Sequence, residues 1–572
     1  MNSTAAHPQD AESAPPPLTL PITRDGLVLT DRVCWAILGM AMIAAAGLIL
    51  WLNRGTTFFL DELNWVYSAP SFSLGEVIEP HNGHLVATSR LAYKAILETV
   101  GSEYVAIRLL ALASVLLSAG FFYALVKRRI GALGALAPTL VLLFLGSAWQ
   151  HVVVGVGFTI IFSVAAGLAA LLALDRGDRR GDVAACALLI LSVATYTTGL
   201  AFLAGIAISV LVRPDRRERA WIFVVPLALY AAWWLSSLGA EQSAERETKF
   251  SNVLLIPNYV AESLAAVTAA VAGLSYDFER PPFVELGWGR ILAALAVVAL
   301  ALRIRRGDVP AFLWVALGIV LTYWALGALA VGPERAPWAV RYMYPGAVGV
   351  LLTAVAAATG MRLSKLGLTA LFAAAAFSLT ANIALLRDGA AVFREYSSKA
   401  RAQFAMLDLA RDHADPAFSP SVAVPDASPV GAQQATYLAV ADRYGSLGFT
   451  LPELQRQSES VRQGADRILA SALALGLEPA RADVATAGCE RVADSESAGS
   501  VTFELPRGGA VIRTRGTAPA AVTVGRFADS TSADVGSLSP GQSATLRIPP
   551  DRSPQPWRAS APGVDSVTVC SL

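Results

Sequence analysis

The chain has 572 residues, 55% of them hydrophobic and only 16% charged, with a mean hydropathy of +0.52 and a formal net charge of +1. A soluble domain is about one-quarter charged, so the composition excludes an ordinary soluble protein, and the balanced charge points to no nucleic-acid partner. Five Lys against forty Arg, in a chain rich in Ala and Gly, is the composition of a GC-rich bacterial genome.

Residues 1–32 open with MNSTAAHPQDAESAPPPLTLP, which is polar, Pro-rich and mildly acidic. That reads as a disordered cytoplasmic tail rather than a signal peptide. The first apolar run, VCWAILGMAMIAAAGLILWL, matches the roughly 20 residues that a membrane crossing needs. Eleven crossings are expected, near 33–52, 104–126, 132–149, 152–174, 183–197, 199–212, 220–238, 289–302, 309–331, 343–360 and 367–386. The stretch 183–212 reads either as a tight pair or as one long tilted helix. Charge favours the pair. It leaves KRR at 127–129, RGDRR at 176–180, RPDRRER at 213–219, RIRR at 303–306 and RLSK at 362–365 on the side of the N-terminus. Basic loops mark the cytoplasmic face, so loops 53–103, 239–288 and 332–342 are expected outside a plasma membrane, with everything after 387. Residues 33–386 thus form a polytopic α-helical transmembrane domain.

After residue 387 the apolar runs shorten. The segment 387–483 reads as helical: TLPEL at 450–454 resembles a capping box, and VRQGADRILASALALGL follows with apolar residues at helical spacing. Residues 484–572 carry short alternating runs, among them SVTFEL, AVIRTRG, AVTVGRF, SATLRI and DSVTVCSL, expected to form a small β-sandwich. The C-terminal part is therefore an extracytoplasmic α+β domain. Cys489 and Cys570 bracket the strands, and outside the cell a disulfide between them is chemically allowed. Cys34 and Cys186 fall in membrane helices as small packing residues.

Chemistry-bearing residues gather in the expected outer loops. FFLDELNWVYSAP at 58–70 places Asp61 and Glu62 just beyond the first crossing. They read as helix-start acids favoured by the macrodipole, among interfacial aromatics that include Trp65, or as a general base, and both can hold with Glu62 capping and Asp61 acting. PHNGHLVATSRLAYKAIL supplies His81 and His84 three apart and then Arg90. The pattern fits a polar turn, or donors to sugar hydroxyls or a phosphate, and lacks the further ligands of a zinc site. GPERAPWAVRYMYPG places Arg335 and Arg341 near a helix end with Tyr342 at headgroup depth, suited to snorkelling or to phosphate. NYVAESLAAVTAAVAGL reads as an interfacial helix, either a wall or lid over a site or simply a cover over lipid.

Together, the acidic pair after the first helix, the continuation HNGHLVATSRLAY, about eleven helices and a soluble outer domain resemble the GT-C superfamily of membrane glycosyltransferases. RYMYP at 341–345 and DRYGS at 442–446 resemble segments of its bacterial members. The resemblance covers about residues 33–386. It implies an inverting enzyme that moves a sugar from a polyprenyl-phosphate donor to an extracytoplasmic glycan, lipid or protein acceptor. Asp61 would be the base, and Arg341, with Arg335 or Arg90, would face the donor phosphate. Many relatives use a divalent cation, Mg or Mn, and Glu62 or His84 would then help to hold it, although no oxygen-rich metal motif stands apart in this sequence. The sandwich would bind acceptor glycan or serve a structural or partner-docking role. The rival classes are a transporter or flippase of a lipid-linked precursor, against which the lack of repeats and of charge within the helices counts, and a non-enzymatic envelope assembly protein.

Overall fold

The computed structural model describes residues 30–238, 249–275, 286–332, 335–361, 364–480, 486–493 and 499–572. The expected N-terminal tail up to residue 29 and parts of the 239–288 loop lie outside the described residues. In chain order the helices are α1 (Asp31–Leu52), α2 (Asp61–Ser68), α3 (Ala87–Val100), α4 (Tyr104–Leu143), α5 (Trp149–Val152), α6 (Gly157–Leu174), α7 (Arg179–Thr195) and α8 (Thr198–Leu211). They continue as α9 (Arg216–Arg219), α10 (Trp221–Ser236), α11 (Ile256–Ala272), α12 (Gly287–Arg305), α13 (Ala311–Leu329), α14 (Met343–Ala358) and α15 (Lys365–Leu409). The short helices α16 (Pro420–Ala423), α17 (Gln434–Tyr444), α18 (Leu451–Gln455) and α19 (Glu459–Ala472) precede the strands. Among the described residues nine helices are long and apolar enough to cross a membrane. The chain is a multi-pass α-helical membrane protein.

These elements divide into two compact units. The first holds the chain up to Arg54, Ser73–Ala92 and Val105–Ala391. Its helices alternate in direction, so one end collects the basic clusters. There Lys127 pairs with Asp31 (3.0 Å), Arg129 with Asp175 (3.1 Å), and Arg219 with Asp182. The expected crossings 104–126 and 132–149 are one continuous assignment, α4, broken at Gly131 with φ 80° and ψ 161°. A side chain is strained there, and glycine lets the helix stop and restart beside the basic triplet. The disputed stretch 183–212 is two helices, α7 and α8, separated by Tyr196 and Thr197.

The other end is a rim of turns. A buried amide organises it. Asn382 Oδ1 accepts from the Ser147 amide (3.1 Å), and its Nδ2 donates to the carbonyls of Ala270 and Ser378 (both 3.0 Å). A Cβ on Gly146 would lie 1.7 Å from the Asn382 carbonyl oxygen, so only glycine admits this approach. Helix α11 begins with Tyr259 Oη 3.5 Å from the Arg335 carbonyl, and near its other end Thr268 Oγ1 donates to the carbonyl of Gly289, at the start of α12 (3.1 Å). Both ends of α11 therefore meet the same rim, although its length and composition would allow a crossing.

The second unit holds Gly55–Phe72, Tyr93–Tyr104 and Val392–Leu572. The expected domain boundary at 386/387 falls inside α15, a single helix of 45 residues. At α18 the capping box is present: Thr450 is N-cap and Glu453 Oε2 accepts the Thr450 amide at 2.9 Å. Among the described residues nine strands follow: β1 (Leu477–Pro479), β2 (Ala487–Ala493), β3 (Ser500–Glu504), β4 (Gly509–Gly516), β5 (Ala520–Gly525), β6 (Ala533–Leu538), β7 (Ser543–Arg547), β8 (Arg558–Pro562) and β9 (Val564–Ser571). They form antiparallel sheets in the orders β1-β7-β4-β9-β2 and β3-β8-β5-β6. On β3, Val501 and Phe503 turn inward while Thr502 and Glu504 face out, the alternation that a sandwich requires. Ala465, Ile468 and Leu469 of α19 join the same core.

Cys489 and Cys570 are register partners on β2 and β9 and form a disulfide, while Cys34 and Cys186 are free and buried. Alkylation of the denatured, unreduced protein is expected to label two of the four cysteines. The Cys489→Ser/Cys570→Ser double variant should lose about 2–5 kcal/mol of sandwich stability. Labelling of all four without reductant would contradict the bond.

Candidate functional site

The acidic pair splits into two environments. Leu60, the residue before α2, has φ 42° and ψ −108°, and Asp61 then starts the helix, partly exposed. Glu62 is completely buried. Its Oε2 accepts the Phe59 amide (2.8 Å) and the Tyr104 hydroxyl (3.1 Å), and its Oε1 accepts the Tyr93 hydroxyl in a very short contact. Phe58 packs edge-on against Tyr104, and Trp65 against Tyr93. Burial pushes the Glu62 carboxyl up to about 8, with a smaller push from the charge of Asp61, against the pull of its three donors.

Three of the nominated residues lie inside the fold. Glu62 is a buried anchor whose carboxyl meets these three donors. Trp65 is 5% exposed and packs in the core against Tyr93. Arg90 is buried, with Nη1 donating to the Glu76 carbonyl (2.5 Å) and lying 3.4 Å from Glu79 Oε2. All three placements have one cause. Side chains next to the chain's entry into water are drawn inward by partners that are remote in sequence.

In the first unit, His81 and His84 bracket a two-residue turn. Their backbones exchange both hydrogen bonds, at 3.0 and 2.9 Å, with Asn82 (φ 54°) and Gly83 (φ 79°) in the left-handed region. Asn-Gly is the dipeptide that such a hairpin turn selects. His84 Nδ1 lies 2.8 Å from Thr197 Oγ1, and its ring stacks obliquely on Tyr196 at 4.4 Å. Arg335 Nη2 reaches the Asn82 carbonyl at 3.5 Å. The Arg341 guanidinium lies 5.6 Å from the Tyr342 ring centre. Arg341 acts electrostatically on His151, and the sites of Tyr259 and Tyr323 feel Arg341 and Tyr342 together. Burial, then the charge of Arg341, push His151 down to about 3, so this imidazole is neutral at physiological pH. The rim thus brings His81, His84, Arg335, Arg341 and Tyr342 into one set of turns. It adds His151, Tyr196, Thr197, Tyr259 and Tyr323. Of these, Tyr196, Thr197, Tyr259 and Tyr323 read in the sequence as ordinary helix-end residues.

Among the described residues no three His, Cys, Asp or Glu side chains gather as a metal site. Both Glu62 oxygens already face hydrogen-bond donors, and His84 Nδ1 faces Thr197.

No family model and no curated protein matches the sequence. Two solved structures are similar in coarse outline. ArnT from Cupriavidus metallidurans bound to undecaprenyl phosphate has 13% identity and a TM-score of 0.43, covering 67% of this chain and 82% of that one. The same protein in the apo state has 14% identity and a TM-score of 0.44, covering 68% and 82%.

Glu62 makes stability depend on pH with a definite sign. Between its ordinary 4.5 and about 8, the folded protein holds a proton that the unfolded chain releases. This contribution is complete at low pH and is lost as pH rises through about 8. The stability difference between wild type and Glu62→Gln should therefore fall across that window, by an amount on the order of a few kcal/mol. Thermal unfolding in steps from pH 5 to 9 measures it, and a constant difference would mean that Glu62 does not titrate there.

Proposed function

We propose that the protein is an inverting membrane glycosyltransferase that moves a sugar from a polyprenyl-phosphate donor to an acceptor outside the cytoplasm. The observation that carries this reading is the rim cluster of Arg335 and Arg341 with Tyr259, Tyr323 and Tyr342. It is a cationic, hydroxyl-bearing patch at one end of a helical unit whose opposite end holds the basic, acid-paired corners. The positive-inside rule puts the basic corners in the cytoplasm and the rim outside. The sequence resemblance to GT-C enzymes supports the same reading.

In this reading Asp61 accepts the proton of an acceptor hydroxyl. The oxygen attacks the anomeric carbon, the bond from that carbon to the phosphate oxygen breaks, and the configuration inverts. The polyprenyl phosphate leaves with the bonding electrons, and Arg341 and Arg335 stabilise the charge it gains. Neutral His151 beside Arg341 adds no competing cation. The acceptor is an envelope glycan, lipid or protein.

The test is transfer from radiolabelled polyprenyl-phosphate sugars by membranes with matched amounts of wild type, Asp61→Asn and Arg341→Gln. Asn retains helix-start capacity while losing basicity. Asp61→Asn should lower kcat by about 10²-fold to 10⁴-fold, the range of general-base catalysis. Arg341→Gln should lower kcat/KM. Equal transfer by Asp61→Asn removes it as the base, and no transfer by wild type from any donor rejects the reading.

A further inference from the structure

We infer that Leu60 and Glu62 are positioning residues: a strained backbone at Leu60, pinned by the buried Glu62 carboxyl, fixes how Asp61 is presented. The inference rests on the reading of Asp61 as the base.

Leu60, at φ 42° and ψ −108°, occupies backbone space that belongs to glycine, because a Cβ crowds the flanking peptides. Its side chain does not explain the choice, since it is 56% exposed and gains no core burial. Strain of this kind persists only where the surroundings over-determine it. They do so on both flanks. Before the turn, the Thr57 amide donates to Ser397 Oγ (3.2 Å), and the Phe59 ring packs edge-on against Phe393 and Tyr396. At the turn, the Leu60 amide lies 3.5 Å from Tyr396 Oη. After it, Glu62 holds both backbone groups of Phe59: its amide donates to the Phe59 carbonyl (3.0 Å) and its Oε2 accepts the Phe59 amide (2.8 Å). Tyr93 and Tyr104 fix that carboxyl in turn.

Asp61 is the single residue between the strained position and the anchor. Its own backbone freedom is therefore removed by its neighbours. A β-carbon at position 60 is what the constraint needs, and the exposed remainder of the leucine is not. This separates a positioning role from direct contact of the Leu60 side chain with substrate.

The experiment compares full-length wild type, Leu60→Ala, Leu60→Gly and Glu62→Ala in nanodiscs. It reads transfer kinetics, thermal unfolding and amide hydrogen exchange over residues 58–66. Leu60→Ala keeps the β-carbon and should keep kcat. Leu60→Gly relieves the strain and should unfold at an equal or higher temperature, yet lose about tenfold to hundredfold in kcat at unchanged KM, as small misplacements of a reacting group do. Exchange at 59–63 should quicken in Leu60→Gly and Glu62→Ala and stay unchanged in Leu60→Ala. Wild-type kcat in Leu60→Gly overturns the inference, and so does an equal loss in Leu60→Ala. If wild type transfers no sugar, the enzyme reading is what fails. Hydrogen exchange then decides the turn on its own: equal rates in all four proteins reject the pinning, and the stated pattern supports it.

Discussion

A carboxyl group taken out of water must be met by donors or surrender its charge. At Glu62 both responses operate, and the second unit is arranged around them. Two tyrosine hydroxyls and one backbone amide converge on the group, while burial favours its protonated form. This brings three stretches together: the start of α2, residue 93 in α3 and residue 104 at the start of α4. A hydrophobic residue at position 62 could pack against Phe58 and Trp65, but it would leave the Phe59 amide and two phenols without a partner. Unmet buried polar groups cost about 1–3 kcal/mol each. The acid is therefore structurally committed.

A second network holds α2 from its other end. Tyr444 Oη lies 3.0 Å from the Ala69 carbonyl and 2.9 Å from Glu98, with one proton to donate between them, and Arg443 reaches the Pro70 carbonyl and Glu98 (both 2.8 Å). Lys94 Nζ also donates to the Ala69 carbonyl, at 2.7 Å. Residues 443 and 444 belong to DRYGS, so the work of that segment within this unit is to hold the exit of α2. Exposed ion pairs alone contribute little. Here the charged donors reach backbone carbonyls as well, which fixes chain position rather than simply adding attraction. Short helix α2 is thus gripped at both termini, by Glu62 and Tyr396 at one and by Arg443 and Tyr444 at the other.

How far the sequence could be read follows from the range of the forces involved. Local signals were legible. Thr450 and Glu453 announced their capping box, the period of Val501 and Phe503 announced a strand, and the runs of apolar residues announced the crossings. β2, β6 and β8 were not legible, because AGCERVA, ADVGSL and RASAP build their buried faces from Ala or break the alternation with Gly and Pro. The acidic pair was visible, but which member is buried was not. The donors that decide it, Tyr93 and Tyr104, lie 31 and 42 residues from Glu62. The placement of Arg90 was hidden for a similar reason. An arginine in a polar loop looks available for phosphate, and only the fold shows its guanidinium turned onto the Glu76 carbonyl.

The two ends of the helical unit solve the problem of charge differently, and the difference follows from what each end must do. At the basic end Lys127, Arg129 and Arg219 each face an aspartate, so the charges that set orientation are neutralised where the helices leave the membrane. At the rim, Arg335 meets a backbone carbonyl, a contact that holds a guanidinium in place without cancelling its charge. A carbonyl satisfies one donor of a guanidinium that carries five. The remaining positive potential is strengthened by the low dielectric of a buried, tyrosine-rich surround. Neutral His151 fits the same logic, because a second cation there would raise the cost of keeping Arg341 charged. In the proposed reaction, a guanidinium held in this way meets the leaving phosphate more readily than one already paired with a carboxylate.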